Sequence, residues 1–413
     1  MVDKNRFIIL SVEAAPDVYV KVLEVKEMLQ AGSYAGVSEA VKAAGTLGWT
    51  GAVIAPQPVW RNEPRGGNPE EPGTAKAPVV LRPHYLRFPR GWWPAASIAG
   101  MKRGIQRAFT QSSGREVRLD RLRLVHAHRT FPEAAAARTL RAPLIVTVRV
   151  SDMLSATKSR SRSSVIRQTL HHADAIITPS VRLAEFVRDM GIKKPTSVIP
   201  NGIVVPEQRP DTSPLRHPTR QGGKSGGRLR LLTVARLDRN KRVDAVIAGV
   251  ATATAMGLDC ELRVVGDGPL RRKLEVQGQE LGIEQRVHFL GRLPHSDVWD
   301  TYRWADAMVL LSEYETFGLV YAEALMCGVP VIGMAGQGLD GMVENGKHGL
   351  MLPDRRQVTV AKSLIRLGND WELRQRLGGA GRSLVKGWTW DAYADAVVDV
   401  YRRIAATSGK ASM

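Results

Sequence analysis

Cysteine is almost missing from this chain of 413 residues, which carries only Cys260 and Cys327. Both sit in apolar surroundings and neither has a metal-ligand spacing. That argues against a disulfide framework or a thiolate metal centre and for buried thiols in a reducing compartment. Long apolar runs are missing too. No stretch reaches the roughly 18–20 residues of a membrane-spanning helix. The opening Met-Val-Asp-Lys-Asn-Arg-Phe-Ile-Ile-Leu has neither the apolar core nor the small-residue cleavage site of a secretion signal. A cytoplasmic protein is expected.

Acidic residues are the third shortage, 40 Asp and Glu against 59 Lys and Arg, for a formal net charge of +19. The imbalance is concentrated in the first half. Residues 1–205 hold 30 basic against 16 acidic side chains, and 82–167 alone hold 18 against 4. Such a field attracts anionic lipid, nucleic acid or an acidic substrate, and says nothing about fold.

The length exceeds one ordinary core, so two domains are expected. Strand-like apolar runs at 6–12, 49–56, 122–128, 144–150, 175–178 and 197–200 alternate with helix-like stretches, among them 98–110, 132–140, 164–172 and 181–190. Pro, Arg, Ser and Gly then break the pattern at 206–227. A second alternating series follows, with strands at 229–234, 261–265, 287–290, 307–311, 329–333 and 349–352, and closing helices at 357–367, 371–377 and 390–406. Alternation of this kind predicts an α/β fold: two Rossmann-like, doubly wound parallel sheets facing across a cleft. The expected boundaries are a first domain at 1–205, atypical over 13–48, a linker at 206–228 and a second domain at 229–388. A last helix, 389–413, is expected to pack back on the first domain.

The most informative stretch is 312–323, Ser-Glu-Tyr-Glu-Thr-Phe-Gly-Leu-Val-Tyr-Ala-Glu. It reads as the end of a buried strand, a tight turn bending at Gly318, and the start of a helix. In an open α/β sheet ligands bind at such a turn, where free backbone N–H groups and the positive end of the helix dipole converge. Glu315 and Glu323 flank the turn, able to meet hydroxyls on either side of a phosphate, which points to a sugar nucleotide. Arg236 and Lys241 follow the strand at 229–234, and both can reach a diphosphate, one through a fork and one as a point charge. Val265-Gly-Asp-Gly-Pro269 follows the next strand, with Gly266 and Gly268 allowing close backbone approach. Taken singly, each is explained as well by a basic loop or a plain turn, and so is Asn201-Gly202. Together they fall at the carboxyl ends of strands along one sheet edge.

These residues resemble the family-4 retaining glycosyltransferases of GT-B fold, the glycosyl transferases group 1. The resemblance rests on Glu315 and Glu323 with Phe317-Gly318 between, on Arg236 and Lys241, and on the Val-Gly-Asp-Gly-Pro run at 265–269. It continues through Val287-His-Phe-Leu-Gly291, Val343-Glu-Asn-Gly-Lys-His-Gly349 and Trp388-Thr-Trp390. In the first half it is carried by Val125-His-Ala-His128, Val146-Thr-Val-Arg-Val-Ser-Asp152 and Val198-Ile-Pro-Asn-Gly202, and it covers about residues 120–405. It implies a retaining transfer from a nucleotide-sugar to a glycan or lipid-linked acceptor, with no metal and no cofactor. Arg236 and Lys241 would neutralise the diphosphate, with Glu315 on the donor sugar's hydroxyls and Glu323 on the ribose. The Phe317, Gly318 and Leu319 amides would meet sugar or phosphate, beside Gly266, Asp267, Gly268 and Asn201 on the donor.

Three departures stand out. Where the family has His-Gly, this chain has Arg149-Val150, so Arg149 implies a more acidic sugar or weakened catalysis. Ile203-Val204 replaces a hydrophobic residue and Asp. The family's Gly-rich loop after the first strand is absent, and 21–45 resembles the helix-turn-helix opening of small ACT-domain regulatory proteins instead. The alternative reading is a catalytically inactive, glycosyltransferase-like regulatory or nucleic-acid-binding protein. Retention of Arg236, Lys241, Glu315 and Glu323 together favours the enzyme and disfavours nucleic acid. The basic first half, with Trp92-Trp93, would suit an anionic membrane surface at the inner face of the cell membrane.

Overall fold

The computed structural model of the chain describes residues 6–10, 50–54, 57–58, 79–81, 84–85, 94–111, 122, 124–203, 227–315 and 317–410. The stretch 21–45, Trp92-Trp93 and nearly all of the expected linker lie outside the described residues. By packing, the chain divides into two units, one formed by 1–179, 183–202 and 390–413, the other by 180–182 and 203–389.

The first unit carries strands β1 (Arg6–Leu10), β2 (Thr50–Ile54), β3 (Gln57–Pro58), β4 (Val79–Leu81) and β5 (His84–Tyr85), then helix α1 (Pro94–Gln111). Next come β6 (Leu124–Ala127), the short helix α2 (Ala135–Ala137), β7 (Leu144–Thr147), α3 (Val150–Lys158) and α4 (Arg160–His172). β8 (Ala175–Thr178), α5 (Val181–Asp189) and β9 (Thr196–Val198) follow. The main sheet runs β4-β2-β1-β6-β7-β8-β9, and every pairing is parallel. Strands covered on both faces need side chains that are apolar in both directions. Thus Val125, Val146 and Ile176 pack towards Met101, Ile105, Ile166 and Leu170 of α1 and α4, while Leu124, Ile145 and Ile177 point to the opposite face.

The second unit is built from β10 (Leu229–Val234), α6 (Val243–Ala255), β11 (Cys260–Val265), α7 (Arg271–Glu280), β12 (Val287–Gly291) and α8 (His295–Trp304). It continues with β13 (Ala307–Val309), α9 (Leu319–Met326), β14 (Val331–Met334), β15 (Gly349–Leu352), α10 (Gln357–Asn369) and α11 (Trp371–Val385). Its sheet runs β12-β11-β10-β13-β14-β15, again all parallel. The chain winds outward from β10 to β12, then returns to place β13 on the other side of β10. That reversal leaves a crevice at the carboxyl ends of β10 and β13. Leu229 and Leu231 face α6 and α10, and Leu232 faces α8 and α9. The last helix, α12 (Trp390–Lys410), lays Tyr393, Val397, Val400 and Tyr401 on Leu124, Ile145, Ala175 and Ile177 of the first unit. The 3–4 spacing of those four residues is a single helical stripe.

The α/β class with two parallel sheets is the one read from the sequence. Several local expectations need correction. The helix expected at 132–140 is a five-residue π turn, Thr130–Ala134, followed by α2 alone. The Thr139 hydroxyl donates to the Ala136 carbonyl at 3.1 Å and helps close the turn. Helix α3 has no counterpart among the expected helices because Val150 reads as the end of the apolar strand run before it, which leaves only Met153, Leu154 and Ala156 as apolar residues in a short segment. β4 and the β3–β5 pair fall within or beside a stretch read as loop. Helix α11 runs well past the expected 377, through three glycines that disfavour a helix on propensity alone. Two of them serve packing: a Cβ at Gly378 would lie 1.9 Å from the Gly328 carbonyl oxygen, and one at Gly381 would lie 2.4 Å from Leu325.

Two opposing effects meet at Gly378. Alanine is the better helix former by roughly 1 kcal/mol, but the overlap is with rigid backbone. Gly378→Ala is expected to lower stability by about 2–3 kcal/mol, read as a drop in the denaturant midpoint of unfolding; an unchanged or raised midpoint would contradict this packing.

Candidate active site

At the carboxyl end of β10 the chain runs through Arg236 to Lys241, and at the end of β13 it runs through Ser312 to Leu319. The two loops are laced together. The Asn240 side chain donates to the Tyr314 carbonyl at 2.9 Å and accepts from the Tyr314 N–H at 3.0 Å, and the Asn240 carbonyl accepts from the Glu313 N–H at 2.8 Å. This brings the Lys241 ammonium to 2.7 Å from Glu315 Oε2. Both side chains are largely sheltered, 23% and 12% exposed. Ser312 Oγ donates to the same carboxylate oxygen at 3.4 Å, and the Glu315 N–H donates to Gln337 Oε1 at 3.2 Å. Arg355 donates to the Leu311 and Ser312 carbonyls at 2.7 and 2.6 Å and so fixes the end of the strand.

Gly318 precedes α9 with φ +75°, a conformation that disfavours any side chain. Here a Cβ would also lie 2.5 Å from the Tyr321 ring. The Tyr321 hydroxyl donates to the Leu310 carbonyl at 2.5 Å. Phe317 is buried against Trp388, ring centroids 5.3 Å apart, which gives the Trp388-Thr-Trp390 run a packing role. Leu319 opens α9, whose first N–H groups and positive dipole end therefore stand beside Glu315 and Lys241.

Glu323 lies one turn further along α9 and is nearly buried. The Tyr302 hydroxyl donates to its Oε2 at 2.7 Å. Burial and the neighbouring carboxylate push the Tyr302 hydroxyl well above its usual range, so it keeps the proton it donates. Arg236 is more open, 43% exposed, with Asp238 at 3.7 Å.

Gly266 and Gly268 also pack backbone against backbone. A Cβ on Gly266 would stand 1.9 Å from the Ala235 carbonyl oxygen, and one on Gly268 2.4 Å from that of Leu237. The close approach is to the loop after β10, whose Leu237 N–H donates to the Asp267 carbonyl at 3.0 Å. The Asp267 carboxylate accepts from the Gly268 N–H at 2.7 Å and lies 3.8 Å from Arg271. These three residues thus shape the loop that presents Arg236.

Arg149 and Asn201 belong to the first unit. Arg149 stands between β7 and α3 at the carboxyl edge of that sheet, and its N–H donates to the Asp152 carboxylate at 3.0 Å. The same carboxylate takes the Thr130 and Phe131 N–H groups at 3.2 and 3.4 Å. Two buried histidines of β6 and its edge adjoin Arg149. His126 is saturated, with Tyr401 and Thr147 hydroxyls each at 2.7 Å from a ring nitrogen. Burial and then the Arg149 charge lower its pKa to about 3. His128 stacks on it, centroids 4.2 Å apart, and burial, His126 and Arg149 hold its pKa well below the usual value. Asn201 is half-buried beside Gly202, which abuts Trp390. Among the described residues no cluster of three or more His, Cys, Asp and Glu is arranged to hold a metal ion. Cys260 is buried and Cys327 partly so, and burial pushes the Cys327 thiol up to about 12.

Asn240, Tyr302, Gln337 and Arg355 were not read from the sequence. Asn240 lay inside the basic run, but its clamp needs the loop after β13, which is 74 residues away. The other three carry no local signal.

Comparison with known proteins agrees with this architecture. The sequence model of the glycosyl transferases group 1 matches residues 218–384, and that of the glycosyl transferase 4-like domain matches 32–202. The second match reaches back well before the region where the resemblance was visible by motif. An alpha-monoglucosyldiacylglycerol synthase from Streptococcus pneumoniae is 30% identical over 45% of this chain and 43% of its own length. An N-acetyl-alpha-D-glucosaminyl L-malate synthase from Bacillus anthracis is 28% identical over 64% of this chain and 70% of its own. The match thus spans less than half of the first relative. Among solved structures, a sucrose-phosphate synthase from Thermosynechococcus elongatus superposes with a TM-score of 0.68 at 21% identity, covering 98% of this chain and 100% of the other. Anabaena HepE in complex with UDP and glucose gives 0.63 at 18% identity, covering 97% and 100%. These two likenesses establish the fold.

The clamp is testable without any ligand. Asn240→Ala removes its two side-chain hydrogen bonds across the loops and is expected to cost about 1–2 kcal/mol of stability, measured by chemical denaturation. An Asn240→Ala protein as stable as the parent would mean that the loops are positioned by other contacts.

Proposed function

The chain belongs to the group 1 glycosyl transferases, and from that premise we propose that it moves a sugar from a nucleoside diphosphate donor to a glycan or lipid-linked acceptor, with retention of anomeric configuration and without a metal ion. The observation that carries this reading is the grouping at the switch point of the second sheet. Lys241, Glu315, Arg236 and the start of α9 present two cations, a carboxylate and backbone N–H groups along one edge. In this reading the diphosphate lies between the Arg236 guanidinium and the Lys241 ammonium. As the bond to the sugar breaks, negative charge grows on the leaving phosphate, and preorganised cations stabilise that charge more than they stabilise the bound donor. Glu315 already takes the Lys241 ammonium and would share its carboxylate with donor sugar hydroxyls. Glu323, held by Tyr302, would accept from the ribose. UDP beside glucose in the HepE complex supports a uridine donor.

A lipid-linked acceptor is supported by the first unit's surface. Helices α1 and α4 pack together and contain no acidic residue, while Arg103, Arg107, Arg160 and Arg167 are exposed on them. Such a face would draw the protein to anionic lipid on the cytoplasmic leaflet. The lipid product named for the Streptococcus pneumoniae relative is in keeping with that. Among the described residues no helix is long and apolar enough to cross a membrane.

Thermal-shift screening of UDP-, GDP- and ADP-sugars is expected to single out one nucleotide, and a protein indifferent to all of them contradicts the reading. With that donor, Lys241→Ala is expected to lower kcat on the order of 10²-fold, and Glu323→Ala to raise the donor KM. Turnover unchanged in the Lys241 variant would remove that side chain from the mechanism.

A further inference from the structure

We propose that the carboxyl edge of the first unit's sheet, at His128 and Arg149, is a subsite for an anionic group, a carboxylate or a phosphate, carried by one of the protein's substrates. The inference rests on the glycosyl-transfer reading only in calling that ligand a substrate.

Two independent observations meet there. His128 is 6% exposed, yet neither ring nitrogen has a hydrogen-bond partner among the described residues. A buried polar group left unpaired is costly, and native structures retain few of them without a use. His126, on the same strand face, shows what a merely structural histidine looks like here, with both nitrogens paired. The second observation is Arg149, whose guanidinium pairs with no carboxylate among the described residues. Two buried acids flank this edge, but both are committed elsewhere. Asp152 takes three backbone N–H groups and feels the charge of Arg129. Glu133 lies 3.7 Å from Arg129. An unpaired guanidinium offers a planar fork of donors that fits a carboxylate or phosphate in two parallel bonds.

The histidine suits the same guest. A neutral ring carries one N–H donor, and His128 is kept neutral by burial and by Arg149 itself. It would add a hydrogen bond without competing for charge. The start of α3 immediately after Arg149 adds the positive end of a nine-residue helix. A neutral sugar hydroxyl would satisfy His128 but leave the guanidinium unmatched. An anionic group satisfies both.

The anion could enter on the donor sugar or on the acceptor, and calorimetry on the full chain separates the two. The probes are UDP-glucuronate against UDP-glucose for the donor, and glycerol 3-phosphate against glycerol for the acceptor. In the unaltered protein one anionic probe is expected to bind on the order of tenfold more tightly than its neutral counterpart, the worth of one charge-assisted pair. Arg149→Gln should abolish that margin and Arg149→Lys keep part of it, with the affinity for UDP alone equal in all three proteins. That equality also shows that the variants are folded. The proposal is overturned if neither anionic probe is preferred, or if the preference survives Arg149→Gln. Should the unaltered protein ignore UDP itself, the glycosyl-transfer reading falls, while an Arg149-dependent anion preference would leave the subsite standing.

Discussion

The ion pair between Lys241 and Glu315 joins two loops that the chain makes 74 residues apart. Each loop follows a parallel strand, and those strands are neighbours only because the second sheet winds outward from β10 and then reverses to place β13 beside it. A reversal of this kind opens a crevice that no helix crosses, so backbone N–H groups and charged side chains can face a ligand there. Asn240 ties the loops, Arg355 ties the strand end, and Tyr302 holds Glu323. On the proposed reading, Lys241 would need little rearrangement to meet a phosphate. Electrostatic stabilisation of a leaving group is strong only when its donors are oriented beforehand in a sheltered site.

The close packing below the crevice serves the same end. Gly266 and Gly268 let the loop after β11 lie directly on the loop after β10. Gly378 and Gly381 let α11 press against α9, whose first turn supplies the amides at the site. None of these glycines needs to touch a ligand. They act by bringing backbone close to backbone, where a single methyl group would push the elements apart.

Much of this was legible in the sequence because parallel strands buried on both faces leave short apolar runs, and the site residues directly follow those runs. The strands at 229–234 and 349–352 fall at the expected positions, and β11 differs by one residue. Arg236, Lys241 and Glu315 could be singled out because each sits in or beside a turn between a strand and a helix, and Glu323 because it lies one helical turn beyond Gly318. What was not legible depends on contacts distant in sequence. Asn240 looks like one more polar loop residue until its partner at 314 is known. Tyr302 and Arg355 reach the site from helices and loops with no motif of their own. Propensity alone ends helix α11 near 377 because it weighs each glycine separately, whereas packing against α9 carries the helix on to Val385. At 149 the substitution was visible, but the ring of His128 beside it, unpaired among the described residues, was not.

The central claim is that a diphosphate is gripped at the carboxyl ends of β10 and β13, and amide hydrogen exchange with and without UDP tests it most directly. Slowed exchange confined to 235–242, 266–268 and 312–323 is the expected result. Exchange unchanged over those segments at saturating UDP, or slowed only elsewhere in the chain, would contradict it.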